Sequence, residues 1–226
     1  MTEPAPLTSR ALPGRHALAD DVHEALKASL MDHVISPGQR LAIDVLARDL
    51  RVSQTPVREA LARLEAEGLV TRAALRGYSA TPLLTRAELD DLFGLRLLLE
   101  PWGAARAAGA ADADGRRRLE EEQSAVTDAP EGASYEQYRA LAAHDARFHL
   151  LVLELAGNAA VRTAVERTHC HLHAFRLHYA KRAGALTLDE HRRITEAVVR
   201  GDPAAAERAM RAHLDASHAR LRAIAG

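Results

Sequence analysis

The chain has 226 residues, enough for one large or two modest domains, and its formal net charge of −1 at pH 7 means that any basic surface is local. With 47% hydrophobic and 27% charged residues it is typical of a globular protein. We expect no signal peptide, because the start of the sequence has no basic-then-apolar order, and no membrane span, because no apolar run reaches ~18 residues. The single cysteine excludes an internal disulfide and favours a cytoplasmic location.

The first third of the chain predicts an arm, three helices and a hairpin. Residues 1–16 contain three prolines and a glycine, which predicts a disordered arm. Leu18, Val22, Leu26 and Leu30 recur at helical spacing and indicate one apolar helix face. The elements predicted here are helices at 17–34, 44–50 and from Ser53 to Glu67, and a hairpin pairing 69–73 with 77–80.

The third of these helices has the features of a DNA-recognition helix. Hydroxyl side chains and an arginine lie near its start, and Pro56 occupies the first turn, where a backbone N–H has no helical partner. Gly68 ends the helix, and the hairpin that follows is suited to form a wing. We therefore predict a winged helix-turn-helix DNA-binding domain over 17–81. Its predicted DNA contacts are Ser53, Gln54, Thr55, Arg58, Arg72, Arg76 and Gly77.

After Thr81-Pro82-Leu83 every segment has a helical pattern. Thr85 with Glu88 is a capping box, and Asp202-Pro203 combines an N-cap with a proline at the first helical position. No fixed-period repeat is present, so residues 82–226 predict an all-α antiparallel bundle rather than a solenoid. The fold class is therefore mainly α. The predicted helices of the bundle are 85–110, 113–128, 134–156, 159–180, 187–200 and 203–225.

Four polar residues of the bundle are suited to bind a metal ion. Asp145 and His149 are four residues apart and share one helix face, while His191 and His213 belong to two later helices. Three imidazoles and one carboxylate suit zinc, nickel or manganese. Surface or hydrogen-bonded core polar groups are the alternative interpretation. Arg96 lies four residues before Glu100, a spacing that predicts an ion pair between the two side chains.

Two other clusters favour structural interpretations. His169, His171 and His173 alternate along a helix and cannot all face one side, so we expect them to line a cavity or pack rather than form a second metal site with Cys170. The charge run 116–122 places opposite charges three to four residues apart, which is typical of a solvated helix face rather than a nucleic-acid contact.

Segments 36–41, 46–47, 52–61 and 64–70 together resemble the DNA-binding domain of the GntR family of bacterial transcriptional regulators. Gln54 departs from the pattern, because the family usually has an arginine there that commonly reads a guanine. The resemblance therefore implies DNA binding but leaves the operator sequence open.

Segments 95–100, 145–149, 157–158, 190–191 and 213–214 resemble the FCD effector-binding domain of the FadR branch of that family. The resemblance implies that Asp145, His149, His191 and His213 hold a divalent metal, with zinc expected first and nickel or manganese as alternatives. It also implies that Arg96 points into a cavity and helps to hold the carboxylate of a small organic acid.

Together the two resemblances imply a regulator that is not an enzyme and has no membrane partner. A homodimer would bind a pseudo-palindromic operator, and the effector would change its affinity for DNA, most often by releasing a repressor. Two alternatives are a metal-dependent hydrolase or lyase with a DNA-binding head, and a regulator whose metal is purely structural. Against the first, the sequence has no nucleophile motif and no general base beyond the ligands.

Overall fold

The computed structural model describes residues 15–127, 132, 134–177 and 183–224, and the chain divides into two compact units between Thr81 and Pro82. Residues 1–14 of the predicted arm lie outside the described residues, whereas Arg15 already begins the first helix. None of the helices formed by the described residues combines the length and apolarity of a membrane span.

Helices and a small sheet build the described part of the N-terminal unit. The sheet is antiparallel, with the strand Gly77–Ala80 in the centre between Arg40–Leu41 and Val70–Ala73. Ala80 of the central strand pairs with Val70, and Tyr78 pairs with Leu41. The predicted hairpin is present, and the two-residue strand Arg40–Leu41 adds to it an edge that the sequence did not predict. The elements are α1 (Arg15–Met31), β1 (Arg40–Leu41), α2 (Ile43–Asp49), α3 (Gln54–Ala66), β2 (Val70–Ala73) and β3 (Gly77–Ala80).

The apolar face of α1 packs against α3, but it does not include Leu18. That side chain is 43% exposed, and Ala19 is buried instead, together with Val22, Leu26 and Leu30. Each step of four residues turns about 400° around a helix, so a strict i+4 series drifts about 40° per step. Leu18 therefore lies off the face that Leu30 shares with the core, and the predicted stripe was wrong at this position.

Beyond Thr81 all the regular secondary structure of the described residues is helical, which confirms the mainly α fold class. Phe93 of α4, Phe148 of α6, Ile194 of α9 and Leu214 of α10 are fully buried in one hydrophobic core, so these four helices surround a common centre. The helices are α4 (Arg86–Ala110), α5 (Ala113–Ser124), α6 (Tyr135–Leu155), α7 (Ala159–Glu166), α8 (Cys170–Leu177), α9 (Ala183–Val199) and α10 (Pro203–Arg222).

The prediction of a single helix over 159–180 was wrong. The chain forms α7 and α8 with a break between Glu166 and Cys170, where His169 has a φ of 49°. A left-handed residue cannot continue a right-handed helix, and the segment has no glycine or proline that would have predicted the break. Residues 178–180 of the predicted helix lie outside the described residues.

The capping box at Thr85 is present and makes a test of local stability possible. The backbone N–H of Glu88 donates to Thr85 Oγ1 at 3.3 Å, and that of Thr85 donates to Glu88 Oε2 at 2.9 Å. We expect Thr85→Ala to lower the free energy of unfolding by about 1 kcal/mol in urea titrations, because an N–H at the helix start loses its acceptor.

Ser53→Ala is the matched control for Thr85→Ala. Ser53 is the N-cap residue of α3, but its side chain makes no capping hydrogen bond. We expect a change within about 0.5 kcal/mol for this variant. Equal losses in the two variants would contradict the assignment of the stability to the capping box.

Candidate metal centre

The four side chains predicted as metal ligands come together inside the C-terminal unit. Asp145 and His149 lie one turn apart on α6, His191 comes from α9, and His213 comes from α10. One donor atom from each lies within 4.8 Å of the donor atoms of the other three. All four residues are buried, the most exposed being Asp145 at 8%. Three helices therefore contribute to a single cluster of one oxygen and three nitrogen donors.

The spacing of the donor atoms suits a small cation. His149 Nε2 lies 3.2 Å from His213 Nε2, and Asp145 Oδ1 lies 3.4 Å from His191 Nε2 and 3.8 Å from His149 Nε2. Zinc binds such atoms at about 2.0–2.2 Å, which separates neighbouring ligands of a tetrahedral site by roughly 3.3–3.6 Å. His191 Nε2 is also buried without a hydrogen-bond partner among the described residues, as expected of an atom that binds an ion.

The opposite ring nitrogen of two of these histidines is held by a carboxylate. His149 Nδ1 donates to Glu100 Oε2 at 2.5 Å, and His213 Nδ1 donates to Glu190 Oε2 at 2.7 Å. A proton on Nδ1 leaves the lone pair of the neutral ring on Nε2, which is the atom that faces the cluster. These carboxylates therefore select the tautomer that can bind a metal ion.

His191 reaches its carboxylate through a second histidine. Its Nδ1 donates to His144 Nε2 at 3.1 Å, and His144 Nδ1 donates to Glu122 Oε1 at 2.9 Å. The relay gives His191 the same tautomer as the other two rings. Sequence reasoning left His144 out because a residue adjacent to Asp145 points about 100° around the helix, and on α6 that direction leads to α9.

His171 is a second residue that the sequence did not assign. It lies in α8, and its Nδ1 donates to Asp145 Oδ2 at 2.6 Å, which leaves Oδ1 of the same carboxylate near His149 and His191. The break at His169 sets the direction of α8. His169 and His173 are half-buried and belong to no metal-binding group found among the described residues.

Burial controls the protonation of the cluster. It lowers the pKa of His149 to about 4, and together with the neighbouring histidines it lowers the pKa of His191 well below the usual value. Burial alone would raise the pKa of Asp145, but His171, His149 and His191 lower it well below its usual value. Neutral imidazoles beside an ionised carboxylate are the forms that bind a metal ion.

Arg96 makes the ion pair that one interpretation predicted. Its Nε donates to Glu100 Oε1 at 2.5 Å, and its Nη2 donates to Glu100 Oε2 at 3.3 Å, with both residues buried. Arg96 also lines a cavity of about 280 Å³ together with Asp145 and His213. Glu100 therefore contacts both a residue of the cavity wall and a candidate metal ligand, His149.

The predicted DNA contacts are all exposed. Those on α3 lie in its first two turns or at its N-cap, and Arg58 Nη2 donates to Gln54 Oε1 at 3.3 Å. Arg63, farther along the same helix, instead donates to Asp20 of α1 at 2.5 Å. Leu75 and Gly77 adopt positive φ values of 64° and 78° at the tip of the hairpin. The exposed set is Ser53, Gln54, Thr55, Arg58, Arg72, Arg76 and Gly77.

Within the charge run 116–122, Arg117 pairs with Asp114 and Glu121, and all three side chains are more than half exposed. This arrangement agrees with a solvated helix face.

Two family profiles match the chain. The FCD domain matches residues 91–216, and the gntR family of bacterial regulatory proteins matches residues 18–78. The uncharacterized HTH-type transcriptional regulator in an unstable DNA locus of Streptomyces ambofaciens is 32% identical over 209 residues, which cover 87% of this chain and 81% of the relative. The HTH-type regulator LutR of Bacillus subtilis is 29% identical over 208 residues, covering 80% and 90%.

A solved structure has the same fold. E. coli McbR/YncC superposes with a TM-score of 0.65 at 22% sequence identity, covering 90% of this chain and 96% of its own.

The carboxylates behind the histidines give a test of the metal centre. We expect Glu190→Gln to weaken zinc binding roughly 10- to 100-fold in competition titrations with a chelator, because His213 Nδ1 loses its charged acceptor. Glu190 lies near the edge of the cluster, with its side chain 16% exposed, so the fold should tolerate the change.

Glu154→Gln is the matched control for Glu190→Gln. Glu154 pairs with Arg118 at 2.8 Å, as Glu190 pairs with Arg220 at 2.7 Å. Among the contacts described, Glu154 has none with the four candidate ligands. The zinc affinity of Glu154→Gln should equal that of the wild type. An unchanged affinity in Glu190→Gln would contradict the role of the carboxylate.

Proposed function

Because the chain belongs to the GntR family of bacterial regulatory proteins and carries an FCD domain, we propose that this transcriptional regulator senses a small carboxylate at a divalent metal ion. The observation that carries the proposal is the buried cluster of Asp145, His149, His191 and His213 beside a cavity lined by Arg96. The relatives are transcriptional regulators, so the hydrolase or lyase alternative is not retained.

Zinc is the metal that we propose first, with nickel or manganese as alternatives. Three neutral imidazoles and a carboxylate suit these borderline ions, and a bound cation would supply the positive charge that attracts an effector carboxylate. Arg96 would bind the same carboxylate from the cavity wall, since a guanidinium matches the two oxygens of a carboxylate. Glu100 holds Arg96 in place through two hydrogen bonds.

We propose that the chain acts as a homodimer on a pseudo-palindromic operator in the cytoplasm. The start of α3 would enter the major groove and the hairpin would contact phosphates. An exposed apolar face on α4 supports the dimer, because a second copy of the chain could cover it. The face is formed at positions i, i+3 and i+7 by Leu95, Leu98 and Trp102, which are 36%, 75% and 40% exposed. A two-fold dimer presents two recognition helices to two half-sites.

Effector binding would act on the population of DNA-binding conformations. To change operator occupancy from nearly full to nearly empty, the carboxylate must favour one conformation by about 5.5 kcal/mol. We propose that it favours the form released from DNA, which makes the protein a repressor. A metal that only stabilises the fold is the remaining alternative, and it differs in having no response to carboxylates.

The recognition helix can be tested with two arginines of α3. We expect Arg58→Ala to lose about 1–3 kcal/mol of binding free energy for an operator that the wild-type protein selects from random DNA, because a base contact is removed. Arg63→Ala is the control, since Arg63 pairs with Asp20 of α1. Fluorescence anisotropy at fixed salt measures both, and equal losses would contradict the proposed orientation.

The metal site can be tested with His149→Ala. We expect the variant to take up no stoichiometric zinc by elemental analysis and to lose every response to carboxylates, while operator binding stays largely intact, because the ligand lies in the C-terminal unit. His218→Ala is the control, since His218 lies on α10 but bonds Asp90 at 2.7 Å rather than the cluster.

A normal carboxylate response in His149→Ala would refute the site. Zinc uptake by the wild type with no effect of any carboxylate on operator affinity would instead favour the structural-metal alternative.

A further inference from the structure

The cavity beside the candidate metal centre has one polar and one apolar end. Arg96, Asp145 and His213 line it and are at most 8% exposed, so they mark its buried end. Leu186 and Ile224 also line it but are 50% and 42% exposed, so they mark the place where it opens to solvent. A ligand whose carboxylate reaches the buried end must therefore extend towards apolar side chains.

The wall between the two ends is largely apolar. Leu141 of α6, Phe175 of α8 and Leu221 of α10 line it, each from a different helix. Hydroxyl groups of Tyr138, Thr187 and Ser217 are also present in the wall, but they are few beside the apolar groups. A polyhydroxylated ligand would lose its water here without regaining as many hydrogen bonds, which is unfavourable.

Both arginines of the wall are already paired with a carboxylate. Arg220 donates to Glu190 from Nη1 at 2.7 Å and from Nη2 at 2.9 Å, and Glu190 also accepts from His213. Among the described residues that line the cavity, Arg96 and Arg220 are the arginines, and there is no lysine. Arg96 is paired in the same way with Glu100, so a carboxylate already faces each arginine of the wall. The proposed metal ion is the added positive charge at the buried end, which favours a ligand with a single acidic group.

From this arrangement we infer that the effector is a monocarboxylic acid with a hydrocarbon tail, its carboxylate beside Arg96 and its tail directed towards Leu186 and Ile224. The inference rests on the proposed function, because it assumes that a carboxylate binds at this centre. The volume of about 280 Å³ lies at the small end of ligand cavities, which suits a short or medium tail. Covering the exposed leucine and isoleucine removes apolar surface from water.

A homologous series of acids tests the inference on the full-length, zinc-loaded protein. Isothermal titration calorimetry with acetate, butanoate, hexanoate and octanoate should show an affinity that rises by up to about fourfold for each methylene until the cavity is filled. Succinate is matched to butanoate and gluconate to hexanoate in carbon number. Both polar acids should bind more weakly than their matched fatty acids.

A variant at the mouth of the cavity locates the tail. Leu186→Gln should lower hexanoate affinity several-fold and leave acetate affinity unchanged, because acetate does not reach the mouth. The half-exposed position of Leu186 should tolerate glutamine without loss of the fold. Leu75→Gln, at an exposed position in the hairpin of the N-terminal unit, is the control and should bind both acids as the wild type does.

The outcomes separate this inference from the proposed function. Equal affinities along the series, or tighter binding of succinate and gluconate, would overturn the hydrocarbon tail while carboxylate sensing stands. Wild-type binding of hexanoate by Leu186→Gln would overturn the placement of the tail. Zinc uptake with no binding of any of the six acids would overturn both the sensing function and the inference.

Discussion

Three imidazole rings and a carboxylate are buried together where α6, α9 and α10 meet, and their polar groups must be satisfied away from water. Burying such groups is unfavourable unless each has a partner. The bundle meets this requirement with a surrounding set of hydrogen bonds: Glu100 holds His149, Glu190 holds His213, and His144 connects His191 to Glu122. Among the described residues, His191 Nε2 has no hydrogen-bond partner, and it lies 3.4 Å from Asp145 Oδ1.

The same hydrogen bonds connect the cluster to the cavity. Glu100 accepts from Arg96 and from His149, and Glu190 accepts from Arg220 and from His213. Each carboxylate therefore contacts one arginine of the cavity wall and one candidate metal ligand. A group that enters the cavity and moves either arginine also changes the environment of a ligand, which gives the proposed effector a direct physical route to the metal centre.

Two arginines of α3 in the N-terminal unit have different partners. Arg63 is engaged with α1, where it contributes to the packing of α3, while Arg58 lies near the exposed start of that helix and contacts Gln54. Gln54 replaces the arginine that is usual in the resembling family. Because Arg58 donates to Gln54, a change at either residue would also alter the surroundings of the other, and both belong to the predicted DNA contacts.

Short-range sequence patterns were enough to predict several helix starts and one pair of the candidate metal ligands. Spacing along one helix brought Asp145 and His149 to one face, and short capping motifs such as that at Thr85 marked helix starts correctly, because these features depend on residues three to four apart. His191 and His213 were candidates from their chemistry, but their distances from α6 along the chain carry no geometric information. The family resemblance supplied the expectation that they join Asp145 and His149.

Tertiary structure alone decided the rest. The break at His169, the contacts of His144 and His171 with the cluster, and the apolar mouth formed by Leu186 and Ile224 have no local signature. Which residue on another helix a side chain contacts depends on how the two helices pack. No glycine or proline near His169 indicates its left-handed conformation. Helical spacing predicts which residues share a face of one helix, whereas the packing of the whole bundle determines which residues of other helices that face contacts.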